Sequence, residues 1–206
     1  MLRPSTLFAL AAAASLAACS NTKVTLELTD APPDTSNIEH VYVSLNHVEV
    51  HVAGDDASDE ASDAGTSDKA GAETEDDSGN AGTDGGWRTV TPKAGTFDLI
   101  ALRNDVRAAL GELDLPSGKI TQIRLFLDAA GRNEVVLTTG ETCPLDLSGV
   151  PPTGIKINHP FKALDVTSSS KLNLVVDFDL DESLDQAGAC SFTLKPVIKL
   201  KHVEKD

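Results

Sequence analysis

The chain has 206 residues, a formal net charge of −15 and an aromatic content of only 4%. This balance argues against nucleic-acid binding, because phosphate contacts require clustered lysine and arginine and base stacking requires aromatic rings. Without a leader and an acidic segment, about 150 residues remain, which suffices for a single domain with one core.

Residues 1–18 are predicted to be a signal peptide. Arg3 supplies a positive charge, and the uncharged run LFALAAAASLAA follows at 7–18. That run is shorter than the roughly 20 residues needed to span a bilayer. It ends in Leu-Ala-Ala-Cys19, which resembles the lipobox of bacterial lipoproteins. Cys19 is therefore the predicted lipidation site and mature N-terminus, with an ordinary signal peptide as the alternative.

The lipid on Cys19 predicts attachment to a membrane of the bacterial cell envelope. Ser20 follows the cysteine, whereas aspartate there resembles the inner-membrane retention signal of enteric bacteria, so the outer membrane is favoured. Residues 19–23 form the lipidated end and a short tether, since Ser20 to Lys23 extend over only about 13 Å. We therefore expect residues 24–206, the single predicted domain, to lie against the membrane.

The first part of the domain has the period-2 alternation of β-strands. A strand is predicted at 24–28 and a longer one at 38–52. The longer strand changes phase, because its apolar residues have odd numbers at first and even numbers later: Val41, Val43, Leu45, Val48, Val50 and Val52. A β-bulge near Asn46-His47 would keep both sets on the core face.

The segment from Ala53 to Gly86 carries eleven Asp or Glu against one lysine and has no Val, Ile, Leu, Met or aromatic residue. Such a composition cannot offset the entropy of ordering, so it predicts a disordered insert in a hairpin loop. An EF-hand is not predicted, because Ala81 replaces the required glycine and Trp87 the final glutamate. Diffuse association with divalent cations stays open.

The remaining residues continue the strand pattern after Trp87-Arg88-Thr89-Val90. Residues 103–110 are the one short stretch that could be helical. The apolar residues of 172–180 and 192–200 alternate most clearly and predict an antiparallel hairpin, in which Asp177 would lie opposite Lys195. About eight short strands in all predict an all-β fold, namely an antiparallel β-sandwich with one short helix.

Two cysteines remain once Cys19 is assigned to the lipid. In an exported protein, Cys143 and Cys190 are expected to form a disulfide. It would close a loop of nearly fifty residues and stabilise the fold by about 4 kcal/mol on the chain-entropy model. A metal site using both thiols is the weaker alternative, since neither C-x-x-C spacing nor a nearby histidine occurs.

Several short motifs together resemble the DUF4382 family of bacterial and archaeal surface proteins, many of them lipoproteins. In chain order they are Leu28-Thr29-Asp30-Ala31-Pro32, Val48-Glu49-Val50-His51, Phe97-Asp98-Leu99-Ile100-Ala101-Leu102, Gln122-Ile123-Arg124-Leu125, Gly154-Ile155-Lys156-Ile157-Asn158-His159-Pro160-Phe161, Val176-Asp177-Phe178-Asp179-Leu180 and Leu194-Lys195-Pro196-Val197-Ile198. The resemblance runs from about Lys23 to Val203, and the acidic insert replaces a shorter loop. It implies no catalytic residue, because the family has no established activity.

Two polar rows are candidates for chemistry. His47, Glu49 and His51 alternate along one strand and are ligand types that zinc accepts. The alternative is a solvent-facing polar row that the suspected bulge interrupts. Asp177, Asp179 and Asp181 could bind calcium or act in acid–base chemistry, but cross-strand lysines make ordinary charge pairs the preferred interpretation.

No nucleophile motif, phosphate loop or cofactor motif occurs, so the chain is predicted to be non-enzymatic and to need no cofactor. The leading hypothesis is a lipid-anchored module that binds an envelope protein or glycan. The alternative is a metal-binding protein or metal-dependent envelope hydrolase using His47, Glu49 and His51. A purely structural lipoprotein is the third hypothesis. The ligand, the leaflet and the oligomeric state do not follow from the sequence.

Overall fold

The computed structural model describes residues 21–30, 36–53, 86–157, 162–167 and 171–205. Cys19 and the interior of the acidic segment lie outside these residues, so the lipid anchor and the disordered insert stay predictions. Within the described residues, no helix is long and apolar enough to cross a membrane.

Strands make up most of the described residues. They are β1 (Thr22–Thr29), β2 (Ile38–Ala53), β3 (Gly86–Val90), β4 (Thr96–Asp98), β5 (Ala108–Leu115), β6 (Gly118–Leu127), β7 (Glu134–Leu137), β8 (Thr142–Asp146), β9 (Ile155–Lys156), β10 (Leu164–Val166), β11 (Lys171–Phe178), β12 (Leu184–Gly188), β13 (Ser191–Leu194) and β14 (Ile198–Lys205). The helical elements are a 3₁₀ turn at Leu99–Leu102 and the single-turn helix α1 at Leu180–Ser183.

The strands form two sheets. The smaller sheet has four strands in the order β14-β11-β1-β5. The larger has ten strands and follows the order β10-β6-β2-β7-β8-β13-β12, with β3 and β4 also paired to β2 and β9 to β6. The predicted all-β, sandwich-like fold is confirmed. Two of the pairings are parallel, namely β1 with β11 and β8 with β13.

One hydrophobic cluster joins the inner faces of the sheets. It includes Val24, Leu26 and Leu28 of β1, as their alternation predicted. Leu174 and Phe178 of β11 belong to the same cluster. Burying such side chains contributes about 1.5–3 kcal/mol each before entropy is counted, so this cluster is the main stabilising feature of the domain.

The predicted bulge in the long strand is present. The register of β2 against β6 shifts between Leu45 and His47, where Asn46 is the extra residue. All six apolar residues on either side of the bulge are buried. The first half of β2 pairs with β4 and β7, and the second half with β3 and β6. One long strand thus spans two parts of the larger sheet.

The strands that flank the acidic segment pair with each other. Val52 lies opposite Gly86 in the antiparallel ladder of β2 and β3. The segment therefore connects two paired strands, which agrees with its predicted place in a hairpin loop.

The prediction of a helix at residues 103–110 is wrong. Residues 108–115 form β5, which pairs with β1, and the 3₁₀ turn ends just before, at Leu102. The sequence of β5 has only a short apolar alternation around Gly111. Gly111 has φ +142°, and a Cβ atom at this position would clash with the Val90 side chain. The pairing with β1, which no local pattern reveals, decides the structure here.

The strand pairing predicted for the terminal hairpin is also wrong. β11 pairs antiparallel with β14, which places Asp177 opposite Lys199 and not opposite Lys195. The intervening β13 belongs to the larger sheet, where it pairs with β12 and β8. The chain crosses to the larger sheet through α1 and returns to the smaller sheet through the residues after β13. Short strands with similar alternation do not encode which sheet they join, so the sequence could not predict these crossings.

The expected disulfide joins Cys143 of β8 to Cys190, in the turn before β13. Their Cα atoms lie 5.2 Å apart. It links the parallel pair β8 and β13, and because the two cysteines are 47 positions apart in the sequence, it closes a long loop within one sheet.

Candidate functional site

The outer surface of the larger sheet carries a group of aromatic and charged side chains where β3, β2 and β6 lie side by side. His51 lies between Trp87 of β3 and Gln122 of β6, and Glu49 lies between Thr89 and Arg124. Their side chains point outward because Val48 and Val50 occupy the alternate, buried positions of the same strand. We call the group the aromatic face: His47, Glu49, His51, Trp87, Arg124 and Phe126.

Trp87 is the most exposed member of the aromatic face. Its side chain is 37% exposed, an unusual state for so large an apolar group. The guanidinium carbon of Arg124 lies 4.0 Å from the centroid of the Trp87 ring, in cation–π geometry. Arg124 also donates to Gln122 Oε1 through Nε and Nη2 at 3.1 and 2.9 Å. Trp87 is therefore held in place while part of its ring meets solvent.

His51 completes the surroundings of Trp87. The two rings meet edge to face with centroids 4.9 Å apart, and His51 Nδ1 lies 2.7 Å from Thr121 Oγ1. Partial burial, and then the charge of Arg124, lower the pKa of His51 below its usual range. At neutral pH the ring is consequently uncharged and able both to donate and to accept a hydrogen bond.

The other end of the aromatic face is formed by His47 and Phe126. Their rings stack with centroids 4.3 Å apart. Gly154 also approaches the Phe126 ring, so closely that a Cβ atom there would lie 2.8 Å from it. Gly154 also has φ +81°, a conformation that glycine adopts without strain. The result is a second, more enclosed ring next to the exposed Trp87.

The structure brings two of the three predicted metal ligands together. His47 Nε2 lies 3.5 Å from Glu49 Oε1, whereas His51 Nδ1 is engaged by Thr121. Across the described strands and loops, the one group of three ligand atoms within 4.8 Å of one another is Glu141, Cys143 and Cys190, whose sulfurs form the disulfide. The zinc hypothesis stays a prediction, because the ligand atoms of His47, Glu49 and His51 do not all lie within 4.8 Å of one another in this structure.

A second polar site lies at the ends of the parallel strands β1 and β11. Asp30 follows β1 and is 0% exposed, and Asp177 in β11 is 8% exposed. Asp30 Oδ1 accepts a hydrogen bond of 3.1 Å from the amide of Leu180. Asp30 Oδ2 and Asp177 Oδ1 are buried and have no hydrogen-bond partner among the described residues. Such groups are rare because an unmet buried acceptor costs about 1–3 kcal/mol.

Burial also alters the protonation of these two carboxyl groups. Desolvation, followed by the charges of Asp177, Asp179 and Asp181, raises the pKa of Asp30 to about 8, although the Leu180 amide opposes the shift. Desolvation likewise raises the pKa of Asp177, which Lys201 partly counteracts. Asp30 is therefore mostly protonated at neutral pH.

The acidic row singled out in the sequence is divided by the fold. Asp177 is buried in β11, whereas Asp179 binds Lys199 at 2.6 Å and caps α1 by accepting from the amide of Glu182. Asp181 lies in the first turn of α1. The charge-pair interpretation is thus right for Asp179 but not for Asp177, whose position opposite Lys199 does not give it an ion pair of its own.

Sequence reasoning missed Asp30 and Trp87. Asp30 stands between β1 and a Pro-Pro pair, a setting typical of a turn, so its burial was not expected. The usable signal was that Asp30 belongs to one of the short family motifs. Trp87 is the single tryptophan of the chain, and it follows directly on the acidic segment. The surroundings of Trp87 depend on the pairing of β3 with β2, and the burial of Asp30 depends on the residues around Leu102 and Leu180 that pack on the end of β1.

Comparison with known proteins gives one family. The family model described as "Domain of unknown function (DUF4382)" matches residues 21–196. Neither the curated proteins nor the solved structures include a significant match to the chain. The match spans both the aromatic face and the buried carboxyl pair.

Proposed function

The chain belongs to the DUF4382 family, whose function is unknown, and we propose that it is a lipid-anchored module that binds an envelope glycan through the aromatic face. The observation that carries the proposal is the exposed ring of Trp87, held against Arg124 on a sheet surface. The apolar face of a sugar ring packs on such an aromatic ring, and its hydroxyl groups need donors and acceptors at the rim.

The rest of the aromatic face supplies those polar groups. The uncharged imidazole of His51 can donate or accept, Glu49 can accept, and Arg124 can donate. These side chains stand on central strands of a sheet, which makes the surface rigid, and preorganised groups lose little entropy on binding. Rigid display of one exposed ring with mixed polar neighbours favours a glycan over a small apolar molecule, which would need an enclosed pocket.

The predicted anchor supports a location in the envelope. β1 begins at Thr22, so about 10 Å of extended chain would separate its first residue from a lipid on Cys19. Two or more acyl chains hold a protein stably at a bilayer. A domain tethered so closely would meet polysaccharide of its own cell surface before any distant partner.

The proposal is tested by the binding of the full-length protein to the envelope polysaccharides of the producing bacterium. Trp87→Ala should weaken binding about tenfold or more, because about 1.4 kcal/mol is a typical contribution of such a ring. Val106→Ala is the matched control, since Val106 is 51% exposed but lies in the loop before β5. Equal affinity of both variants and the unaltered chain would contradict the proposed site.

An envelope protein is the second candidate partner, because tryptophan beside arginine is also typical of the centres of protein interfaces. Cleavable cross-linking on intact cells separates the two. Capture of one dominant protein that is lost with Trp87→Ala would replace the glycan by a protein. Lipid on Cys19 is tested independently by mass spectrometry, and Cys19→Ser should release the protein from the membrane fraction.

A further inference from the structure

We propose that the glycan bound by the aromatic face is acidic, and that Arg124 and Lys156 bind a carboxylate of the sugar that packs on Trp87. This inference rests on the proposed function and adds the chemical class of the ligand to it. The observation that carries it is a pair of neighbouring cations on the outer surface of the larger sheet. Neither of them binds a carboxylate in the described part of the chain.

The fold places Arg124 and Lys156 side by side on the same surface. In the antiparallel ladder of β6 and β9, Arg124 lies opposite Lys156, and Leu125 lies opposite Ile155. Leu125 and Ile155 are buried, so the alternate residues Arg124 and Lys156 both point outward. Directly opposite residues of such a ladder have Cβ atoms about 5 Å apart. The long side chain of Lys156 can therefore reach an anionic group that Arg124 holds.

The guanidinium of Arg124 is held in place with part of its donor capacity unused. Of its five N–H groups, one on Nε and one on Nη2 bind Gln122 Oε1 at 3.1 and 2.9 Å. The other three have no acceptor among the described residues. One hydrogen of Nη1 and one of Nη2 point in parallel, which is the geometry that binds both oxygens of a carboxylate. Contact with Trp87 and Gln122 thus orients this fork before a ligand arrives.

The nearest carboxylate leaves the charge of Arg124 available. Glu49 lies opposite Arg124 on β2, but its Oε1 lies 3.5 Å from His47 Nε2. The positive charge of Arg124 still lowers the pKa of the neighbouring His51. Elsewhere on the described strands and loops, cations are commonly bound by carboxylates, as are Lys23, Arg107, Arg132, Lys195, Lys199 and Lys201. The cations beside Trp87 differ from these in having no acidic partner of their own among the described residues.

The charge of the whole chain makes a preference for acids diagnostic of direct contact. The net charge is −15, so the long-range field of the protein repels polyanions. An acidic glycan is consequently preferred only where its acid touches Arg124 and Lys156. A carboxylate is the acid that fits, because its two oxygens match one guanidinium fork. A phosphate presents a further oxygen, and the aromatic face as described holds no second arginine.

The test compares the envelope polysaccharide of the producing bacterium with the same polymer after its carboxyl groups are reduced to alcohols. The full-length protein should bind the native polymer about tenfold more tightly than the reduced one, because charge-assisted contacts are lost. Lys156→Gln should weaken binding of the native polymer about threefold and leave binding of the reduced polymer unchanged. Lys171→Gln is the matched control, since Lys171 is an exposed lysine of β11 in the smaller sheet, and both affinities should be kept.

The outcomes separate this inference from the proposal on which it rests. Equal affinity for the two polymers, both lowered by Trp87→Ala, overturns the acidic ligand and retains the glycan site. Equal weakening by Lys156→Gln and Lys171→Gln reveals a general charge effect and also overturns the inference. Binding to neither polymer overturns the glycan proposal together with the inference. Binding that is lost on removal of phosphate, and not on reduction of carboxyl groups, contradicts the carboxylate.

Discussion

At the scale of single residues, Asp30 is the carboxyl group whose charged form fits its surroundings least. It is completely buried, it lies near three other acidic residues, and one of its oxygens is unpartnered in the described structure. The carboxyl group avoids this conflict by keeping its proton.

Asp30 makes the stability of the domain depend on pH. Its pKa rises from 3.8 in the unfolded chain to about 8 in the fold. The stabilising contribution of the proton is therefore complete below about pH 4 and is lost as the pH rises through 8. Urea unfolding should give a free energy that falls by roughly 2 kcal/mol between pH 6 and pH 8 because of this residue.

Asp30→Asn provides the control for that pH dependence, because the amide does not titrate in this range. The fall in the free energy of unfolding between pH 6 and pH 8 should be smaller in the variant than in the unaltered chain. Parallel curves for the two proteins would show that Asp30 is not the titrating group.

At the scale of elements, β2 is the strand that organises the larger sheet. It pairs with β4, β7, β3 and β6, and its bulge at Asn46 turns both halves of the strand toward the same core. The change of phase in the apolar residues was visible in the sequence, so the bulge could be predicted. Its consequence for the site could not, because the aromatic face depends on β3 and β6 on either side.

Deletion of Asn46 should prevent stable folding. Without the extra residue, one half of β2 would turn its apolar side chains to solvent and its polar ones to the core. Exposing three core valines or leucines costs several kcal/mol, which is comparable with the total stability of a domain. Circular dichroism and urea unfolding measure the loss.

Asn46→Ala is the matched control for the deletion, since it keeps the residue count and removes only an exposed side chain that contacts His47. Its free energy of unfolding should change by less than about 1 kcal/mol. A deletion variant that folds with native stability would mean that β2 re-registers without loss of its core contacts.

At the scale of the whole molecule, the start of β1 and the end of β2 lie at the same end of the sandwich. Thr22 lies opposite Leu115 at the end of β5, and the next strand begins at Gly118, with Lys119 opposite Ala53. Gly118 approaches the Ala53 carbonyl so closely that a Cβ atom there would lie 2.3 Å away. The acidic segment therefore leaves the domain at the end where β1 begins.

Replacing residues 54–85 by a four-residue glycine-rich turn should stabilise the domain. Val52 and Gly86 are already paired, so a short connection closes the β2–β3 hairpin without moving either strand. Shortening the loop eightfold removes closure entropy worth about 2 kcal/mol. The urea midpoint should rise at an unchanged m-value. A lower midpoint would show that the segment makes stabilising contacts.

How much of the structure could be predicted from the sequence depends on how far apart in the chain the interacting residues lie. Alternating apolar residues report which side of a strand is buried, so the all-β fold, the core residues of β1 and β2 and the bulge were predicted. The even pair of exported cysteines predicted the disulfide. Each of these inferences rests on neighbours in the chain or on composition.

Only the tertiary structure decided which strands pair and what lies around each polar side chain. The parallel pairing of β1 with β11 places Asp177 opposite Thr29, and the pairing of β3 with β2 sets Trp87 against His51 and Arg124. The alternation of apolar and polar residues is similar in every strand, so it does not reveal which strand is the partner. Burial and pKa depend on that partner, which is why both sites appeared only in the folded chain.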